Sequence, residues 1–390
     1  MHVFAGKSSL NMSEFLRLPQ SQVYLHTYRL RARSRAMKPL PQVSVLMPVR
    51  DGERWMSASI DSVLRQTLTD FELIIVNDGS VDRTPAILES YALRDQRIRV
   101  FHVDRKGVAV ALNHGLTHAR AALTARLDAD DLCVPCRLEK QVQFLSCWPD
   151  VALLGSWAEM IDENGKILRQ IKPKTRHHDI VALLERRNPF VHSSIMMRTA
   201  VARVLGGYRA AFEAAEDYDL WLRICKTNQV ANLAEFLIQY RQHTVNVSKI
   251  KMVRQAFSVR LAQRCQPGYP GSAPEAQSQL DAPPDFLSPQ ANDTFYAEDA
   301  AIYRFLALAE PETVGRVDIS SIDLQQIRRR TPQLSHDERK LAALAVVNLL
   351  HGFTRLPFSR ASLVVLLFQL HPARALRIAF RLFSGGQPET

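Results

Sequence analysis

VSVLMPVRDGERWMSASIDSVLRQTLTDFELIIVNDGSVDRT, residues 43–84, holds two apolar runs rich in β-branched residues, 43–49 and 71–78. Each run opens into a polar, glycine-bearing turn, PVRDGE (48–53) and NDGS (77–80). The runs read as strands and the segment between them as a helix. The alternation continues outward, with IRVFHV (98–103) and LTARLDA (123–129) as further strands. Between these two, Val108, Ala111, Leu112, Gly115, Leu116 and Ala119 follow the i, i+3, i+4, i+7 rule of one helix face. Strands alternating with helices at this spacing make βαβ units. The expected fold is therefore α/β, with a mostly parallel sheet and right-handed crossovers.

In an open sheet of this kind, ligands bind beyond the carboxyl ends of the strands, where loops and helix N-termini gather. The chain puts PVRDGE after the first strand, NDGS after the second and DADD (128–131) after the fourth, so three separate stretches converge on one edge. Asp128, Asp130 and Asp131 crowd three carboxylates into four positions at the end of a buried strand. Such a cluster either holds a cation or belongs to a turn that water solvates. No G-x-G-x-x-G dinucleotide fingerprint and no G-x-x-x-x-G-K-[ST] phosphate loop is present.

The 390 residues, 46% hydrophobic and 23% charged, suffice for one large α/β domain and a smaller appendage. A net charge of +11 points to an anionic partner: nucleic acid, a phosphorylated ligand or an acidic membrane surface. Nucleic acid is not expected, because no recognition motif accompanies the charge. Five scattered cysteines do not make a disulfide framework, and the CVPC at 133–136 lacks a second metal-ligand pair. No apolar run reaches the about 20 residues of a membrane span.

Composition divides the chain into a basic N-terminal arm (1–40), the α/β domain (41–250), a helix with a Pro-rich linker (251–295) and a helical C-terminal region (296–390). The arm carries Arg17, Arg29, Arg31, Arg33, Arg35 and Lys38 without an acid between 17 and 38. SWAEMIDENGKILRQI (156–171) reads as a hairpin about Asn164-Gly165, SSIMMR (193–198) as a strand and AEDYDLWLRICK (215–226) as a helix. Near the end, Arg374, Arg377 and Arg381 share one helical face, and Leu376, Ala379, Phe380 and Phe383 another. This is the pattern of a helix lying in an anionic bilayer surface, or of a terminal helix packed on its own domain with its arginines solvated.

Taken together, residues 43–84, GVAVALNHGLTHARAALTARLDADD (107–131) and AEDYDLWLRI (215–224) resemble glycosyltransferase family 2, over about residues 43–245. The resemblance implies the GT-A fold: Rossmann-like, a mostly parallel sheet flanked by helices, here with a C-terminal helical extension. It implies a nucleotide-sugar donor, usually UDP-linked, a divalent metal (Mn²⁺ or Mg²⁺) and transfer with inversion. Carried over by position, Asp128 and Asp130 are the DxD pair that meets metal and diphosphate. Asp78 binds the nucleoside, the loop with Pro48, Arg50, Asp51 and Glu53 lines base and ribose, and Asp217 is the general base. Glu216 is the alternative base or a group that positions the acceptor. Family habit and the basic tail favour a glycan or lipid-linked acceptor, with the protein peripheral on the cytoplasmic face of the plasma membrane.

Several residues keep two readings. Arg50-Asp51 stands where the family more often has an aromatic residue and Asn, so Arg50 meets phosphate or is a solvated loop arginine. Glu53 meets the nucleotide or serves the first turn of its helix. Lys106 and Asn113 lie where a cation and an amide can meet the nucleotide. His243 contacts metal or diphosphate or is structural, and His192 faces the acceptor or the core. Asp131 is a third group of the metal site or caps the helix after Pro135, with capping the favoured expectation. Gly206-Gly207 are expected to let the acidic loop close on bound donor. Two other functions fit parts of the pattern. One is a non-catalytic, membrane-associated sugar-nucleotide binder. The other is a haloacid-dehalogenase-type phosphatase, whose motif wants Thr or Val where this chain has Leu132.

Overall fold

The computed structural model describes residues 40–243, 251–269, 272–275, 280–288, 294–310, 317, 324–352 and 359–372. The basic arm up to residue 39 and the basic apolar segment from residue 373 onward lie outside the described residues.

The alternation seen in the sequence is the first half of the fold: β1 (Val43–Val49), α1 (Met56–Leu64), β2 (Phe71–Asp78), α2 (Thr84–Arg94), β3 (Ile98–Val103), α3 (Val108–His118) and β4 (Leu123–Arg126). β1 pairs in parallel with β2 and β4, and β2 with β3. Every residue of β1 and β2 is buried, which is why both read as near-continuous apolar runs. Side chains still alternate between faces: Ile74 and Val76 belong to one core, Leu73 and Ile75 to the other. β4 stops at Arg126, three residues short of the apolar run read from sequence, although the Leu127 amide still donates to Leu46 O at 3.0 Å. The chain then turns, with the Asp131 amide donating to Asp128 O at 3.3 Å.

The second half is mixed. It comprises β5 (Leu132–Cys133), α4 (Arg137–Cys147), β6 (Val151–Ile161), β7 (Ile167–Ile171), α5 (His177–Leu184), β8 (Met196–Arg198), α6 (Thr199–Val204), α7 (Glu216–Cys225) and β9 (Gln229–Arg241). The sheet order is β3-β2-β1-β4-β8-β6-β9-β5, with β7 paired to β6. β8 is antiparallel to both β4 and β6, and β6 is parallel to β9. β1, β2, β3, β4, β6 and β9 thus share one direction, and the sheet is mostly parallel, as expected. The hairpin turns at Asn164-Gly165, where Gly165 has φ +89°. The strand expected over 193–198 is shorter, because residues His192–Ser194 form a single 3₁₀ turn before it.

At the end of the sheet away from DADD, buried Glu72 closes the structure. Its carboxylate accepts from Ser44 Oγ (2.6 Å), the Arg120 amide (2.8 Å), Arg99 (2.7 Å) and Arg120 Nε (2.8 Å). Burial alone raises such a group's pKa, but these donors hold it below the ordinary glutamate value.

Beyond β9 come α8 (Met252–Arg264), α9 (Ala297–Ala307), α10 (Leu324–Arg330), α11 (His336–Gly352) and α12 (Arg360–Leu370). The core above one sheet face continues through them to Leu363, Leu366, Leu367 and Leu370. Gln263 donates to Glu185 O and to Tyr218 Oη, both at 2.9 Å, and Arg264 pairs with buried Asp299, so α8 is joined both to the sheet domain and to α9. The division at the Pro-rich linker within 251–295 remains a proposal from composition.

Candidate active site

The loops after β1 and β2 are laced together. Ser80 Oγ accepts from the Asp51 amide (2.9 Å), Thr84 Oγ1 from the Gly52 amide (2.8 Å) and Asp82 from the Glu53 amide (3.0 Å). Asp51 returns a bond from the Val81 amide (2.9 Å), and Glu53 accepts from the amide and Nε of Arg83. Asp51 sits at φ +50°, the conformation this exchange requires. Pro48 is buried in β1 opposite Val76, and Arg50 lies exposed at 3.5 Å from Asp51. Asp78 ends β2 and accepts from the Lys106 and Gly107 amides at 2.8 and 2.9 Å, which places exposed Lys106 at the mouth of α3. Asn113 points elsewhere: its side chain clamps the Tyr208 backbone in both directions, at 2.6 and 2.8 Å.

After β4, oxygens of Asp128, Asp130 and Asp131 come within 4.8 Å of one another. Their surroundings differ. The Asp128 and Asp130 side chains keep 33% and 28% of their surface open, whereas Asp131 is fully buried. Asp131 accepts from the Arg241 amide at 2.7 Å and from Ser193 Oγ. It does not cap α4, whose N-terminus has no side-chain cap among the described residues. The backbone of β9 needs an acceptor there, and Asp131 supplies it. Burial first, then the charges of Asp130 and Asp128, push the Asp131 pKa well above its ordinary value. Asp130 meets His243 Nε2 at 2.8 Å, and the His243 ring stacks on Trp55 with centroids 4.3 Å apart. The Arg54 guanidinium lies over the other part of this stack, 4.4 Å from the Trp55 centroid.

Sequence reasoning missed the residue at the centre. Arg126, 4% exposed, donates from both terminal nitrogens to Asp128 and from Nη1 to Ser193 Oγ at 2.9 Å. Its signal was an arginine inside an apolar strand, two residues ahead of the cluster. Its charge, with that of Asp128, also bears on Glu216 and Asp217 across the site. These two open α7. Asp217 accepts from Asn188 Nδ2 and from the Tyr218 amide, both at 2.7 Å, with His192 Nδ1 at 3.9 Å. Burial raises the Asp217 pKa while those two donors hold it down. Glu216 is 6% exposed and its Oε2 has no hydrogen-bond partner among the described residues. Burial, then the Asp217 charge, push its pKa up to about 8. Burial and then Arg126 depress His192 well below the ordinary histidine value, so it is neutral. Asp219, in the same helix, lies away from this pair and anchors Arg209 and Arg223. Leu220 and Trp221 are core.

The site is therefore a set of hard oxygen donors, of the kind Mg²⁺ and Mn²⁺ accept from one or two carboxylates, facing buried Glu216 and partly buried Asp217. Asp128 and Asp130 fit such an ion, and Asp131 is the buried brace behind them.

The family model for "Glycosyl transferase family 2" matches residues 44–205. The O-antigen biosynthesis glycosyltransferase WbnJ of Escherichia coli is 34% identical over 218 residues, which is 55% of this chain and 85% of that protein. The uncharacterized glycosyltransferase MJ1057 of Methanocaldococcus jannaschii is 35% identical over 206 residues, 52% of this chain and 71% of that one. Among solved structures, S. aureus TarS 1-349 in complex with UDP-GlcNAc has a TM-score of 0.51 at 15% identity, covering 86% of this chain and 92% of that one, a likeness of fold.

Proposed function

The chain belongs to glycosyltransferase family 2, and from that premise we propose that it transfers a sugar from a UDP-sugar to a hydroxyl of a glycan or lipid-linked acceptor, with inversion. The observation that carries this reading is the meeting of two acidic groups about Arg126: open Asp128 and Asp130 on one side, buried Glu216 and partly buried Asp217 on the other. A bound Mn²⁺ or Mg²⁺ would supply positive charge for the departing nucleoside diphosphate. Asp128 and Asp130 would hold it, and His243 fixes the Asp130 carboxylate. The loops carrying Arg50, Asp51, Glu53, Asp78 and Lys106 would line the nucleoside.

Asp217 is the base. Burial raises its pKa, but two hydrogen bonds favour its ionised form, whereas burial and the Asp217 charge push Glu216 up to about 8, so Glu216 is mostly protonated at neutral pH. Neutral Glu216 instead offers a hydrogen bond that positions the acceptor. Neutral His192 and Tyr208 keep the pocket around Asp217 free of added charge. The basic C-terminal segment would hold the protein on the anionic cytoplasmic face of a membrane. Among the described residues no helix is long and apolar enough to cross one.

Two substitutions separate the roles. Asp217→Asn should lower kcat by about 10²–10⁴-fold with donor affinity retained. Asp130→Asn should weaken metal-dependent donor binding. An Asp217→Asn variant with wild-type turnover would refute the assignment of the base.

A further inference from the structure

We infer that the sheet face beside Asp217 carries a subsite for an acidic pyranose residue of the acceptor, formed by Trp157, Phe236 and Lys172. The inference rests on the glycosyl-transfer reading above and names the class of acceptor.

Its position follows from strand alternation. Along β6, Leu154 and Ala158 belong to one core, and Leu153 belongs to the other, which also contains Phe190 and Trp221. Gly155 and Trp157 share the Leu153 face. A Cβ on Gly155 would lie 2.9 Å from the Phe190 ring. The Phe190 amide donates to Asn188 Oδ1 at 3.1 Å, and Asn188 Nδ2 holds Asp217. Trp157 is thus the next side chain on this face beyond the contact that leads to the proposed base.

The pairing of β6 with β9 is irregular here. Ser156 pairs with Leu233, Trp157 with Phe236 and Ala158 with Ile238, so β9 bulges on either side of Phe236. Bulges re-aim side chains, and they are common near active sites. The two rings lie 5.3 Å apart and both are only half-buried. Trp157 Nε1 donates to Pro173 O at 3.1 Å, which fixes the orientation of the indole. Lys172 Nζ sits 5.3 Å from the Trp157 centroid and 5.5 Å from that of Phe236, and no carboxylate among the described residues pairs with it within 4.0 Å. Around it the chain is basic. Lys166, Arg169, Lys172, Lys174 and Arg176 are all exposed, and no acid occurs between 164 and 178.

Half-buried aromatic faces accept the flat C–H face of a sugar ring, and a cation above them attracts an anionic substituent on that ring. A neutral hexose meets only the first demand, and a polyol phosphate only the second. A uronic acid residue meets both.

The chain has four tryptophans, so the indole N–H region of an NMR spectrum of the ¹⁵N-tryptophan-labelled full chain holds four resonances, with Trp157 assigned through Trp157→Phe. Methyl glucuronide should shift the Trp157 resonance saturably, about tenfold more tightly than methyl glucoside. Glycerol phosphate should leave it unmoved. Lys172→Met should erase the preference for the glucuronide without changing Tm. A Trp157 signal that ignores the glucuronide, responds equally to both glycosides, or moves only with glycerol phosphate overturns the subsite. UDP with Mn²⁺ should separately move Trp55, which stacks on His243 beside Asp130. A responding Trp55 with a silent Trp157 would therefore defeat the subsite and leave the donor reading standing, whereas a silent Trp55 would count against the donor reading itself.

Discussion

At the scale of single residues, the account turns on two adjacent acids doing different things. Glu216 ionises near a pH of about 8 in the folded chain, whereas in the unfolded chain it would ionise near about 4.3. Between these values the folded state binds more protons than the unfolded one. The stability this group contributes is therefore complete below the lower value and is lost as pH rises through the upper one. Glu216→Gln should flatten that decline, so its Tm should gain on wild type toward a pH of about 9, and identical Tm profiles would contradict the assignment. The residues that sequence could place were those whose chemistry is unusual for their setting: the DADD cluster, and Glu216-Asp217 opening a helix. Arg126, Ser193 and Asn188 were not placed. Arg126 lies only 2 residues from Asp128 and its signal was simply not read, whereas the roles of Ser193 and Asn188 depend on partners 62–65 and 29 residues away, which a linear pattern does not reveal. Asp131 was assigned to a helix cap for the same reason, since its actual partner, Arg241, lies 110 positions on.

At the scale of elements, the turn before the acidic helix is more firmly fixed than its paired glycines imply. Gly206 and Gly207 take φ +80° and +66°, and Arg223 donates to Leu205 O and to Gly207 O at 2.6 Å, while Asn113 clamps Tyr208. The glycines serve left-handed backbone geometry, and the turn is tied on both sides. A Cβ on Gly207 would lie 2.3 Å from Asn113 Oδ1, whereas one on Gly206 meets nothing within 4 Å. Gly206→Ala should cost about 1–2 kcal/mol from backbone strain alone. Gly207→Ala should cost more, because Asn113 must also give way, and equal costs in urea denaturation would show that the clamp is unimportant. The parallel half of the sheet was legible to within a few residues, because buried parallel strands are apolar throughout. The reversed strand β8 was legible only in part, since its first residues form a 3₁₀ turn that exists to bring Ser193 to the aspartates.

At the scale of the whole molecule, the helical C-terminal region shares its core with the sheet domain as far as Leu370. Removing residues from 355 onward would strip Leu363, Leu366, Leu367 and Leu370 from that core and so confuse folding with membrane contact. Deletion of 373–390 should instead keep Tm while lowering partition to vesicles containing anionic lipid, and unchanged partition would retire the membrane proposal. The helical character of this region was readable from its sequence, but the way α8 joins α9 to α5 and α7 of the sheet domain was not, because those contacts come from far along the chain. The central claim is that Asp128 and Asp130 hold a divalent ion against a nucleotide-sugar diphosphate. Its most direct test is calorimetric titration of the full-length protein with UDP-sugars, with and without Mn²⁺, for wild type and Asp130→Asn. The account predicts saturable binding that requires the metal and weakens at least about tenfold in the variant. Binding that ignores both the metal and the substitution, or no binding of any UDP-sugar, would contradict it.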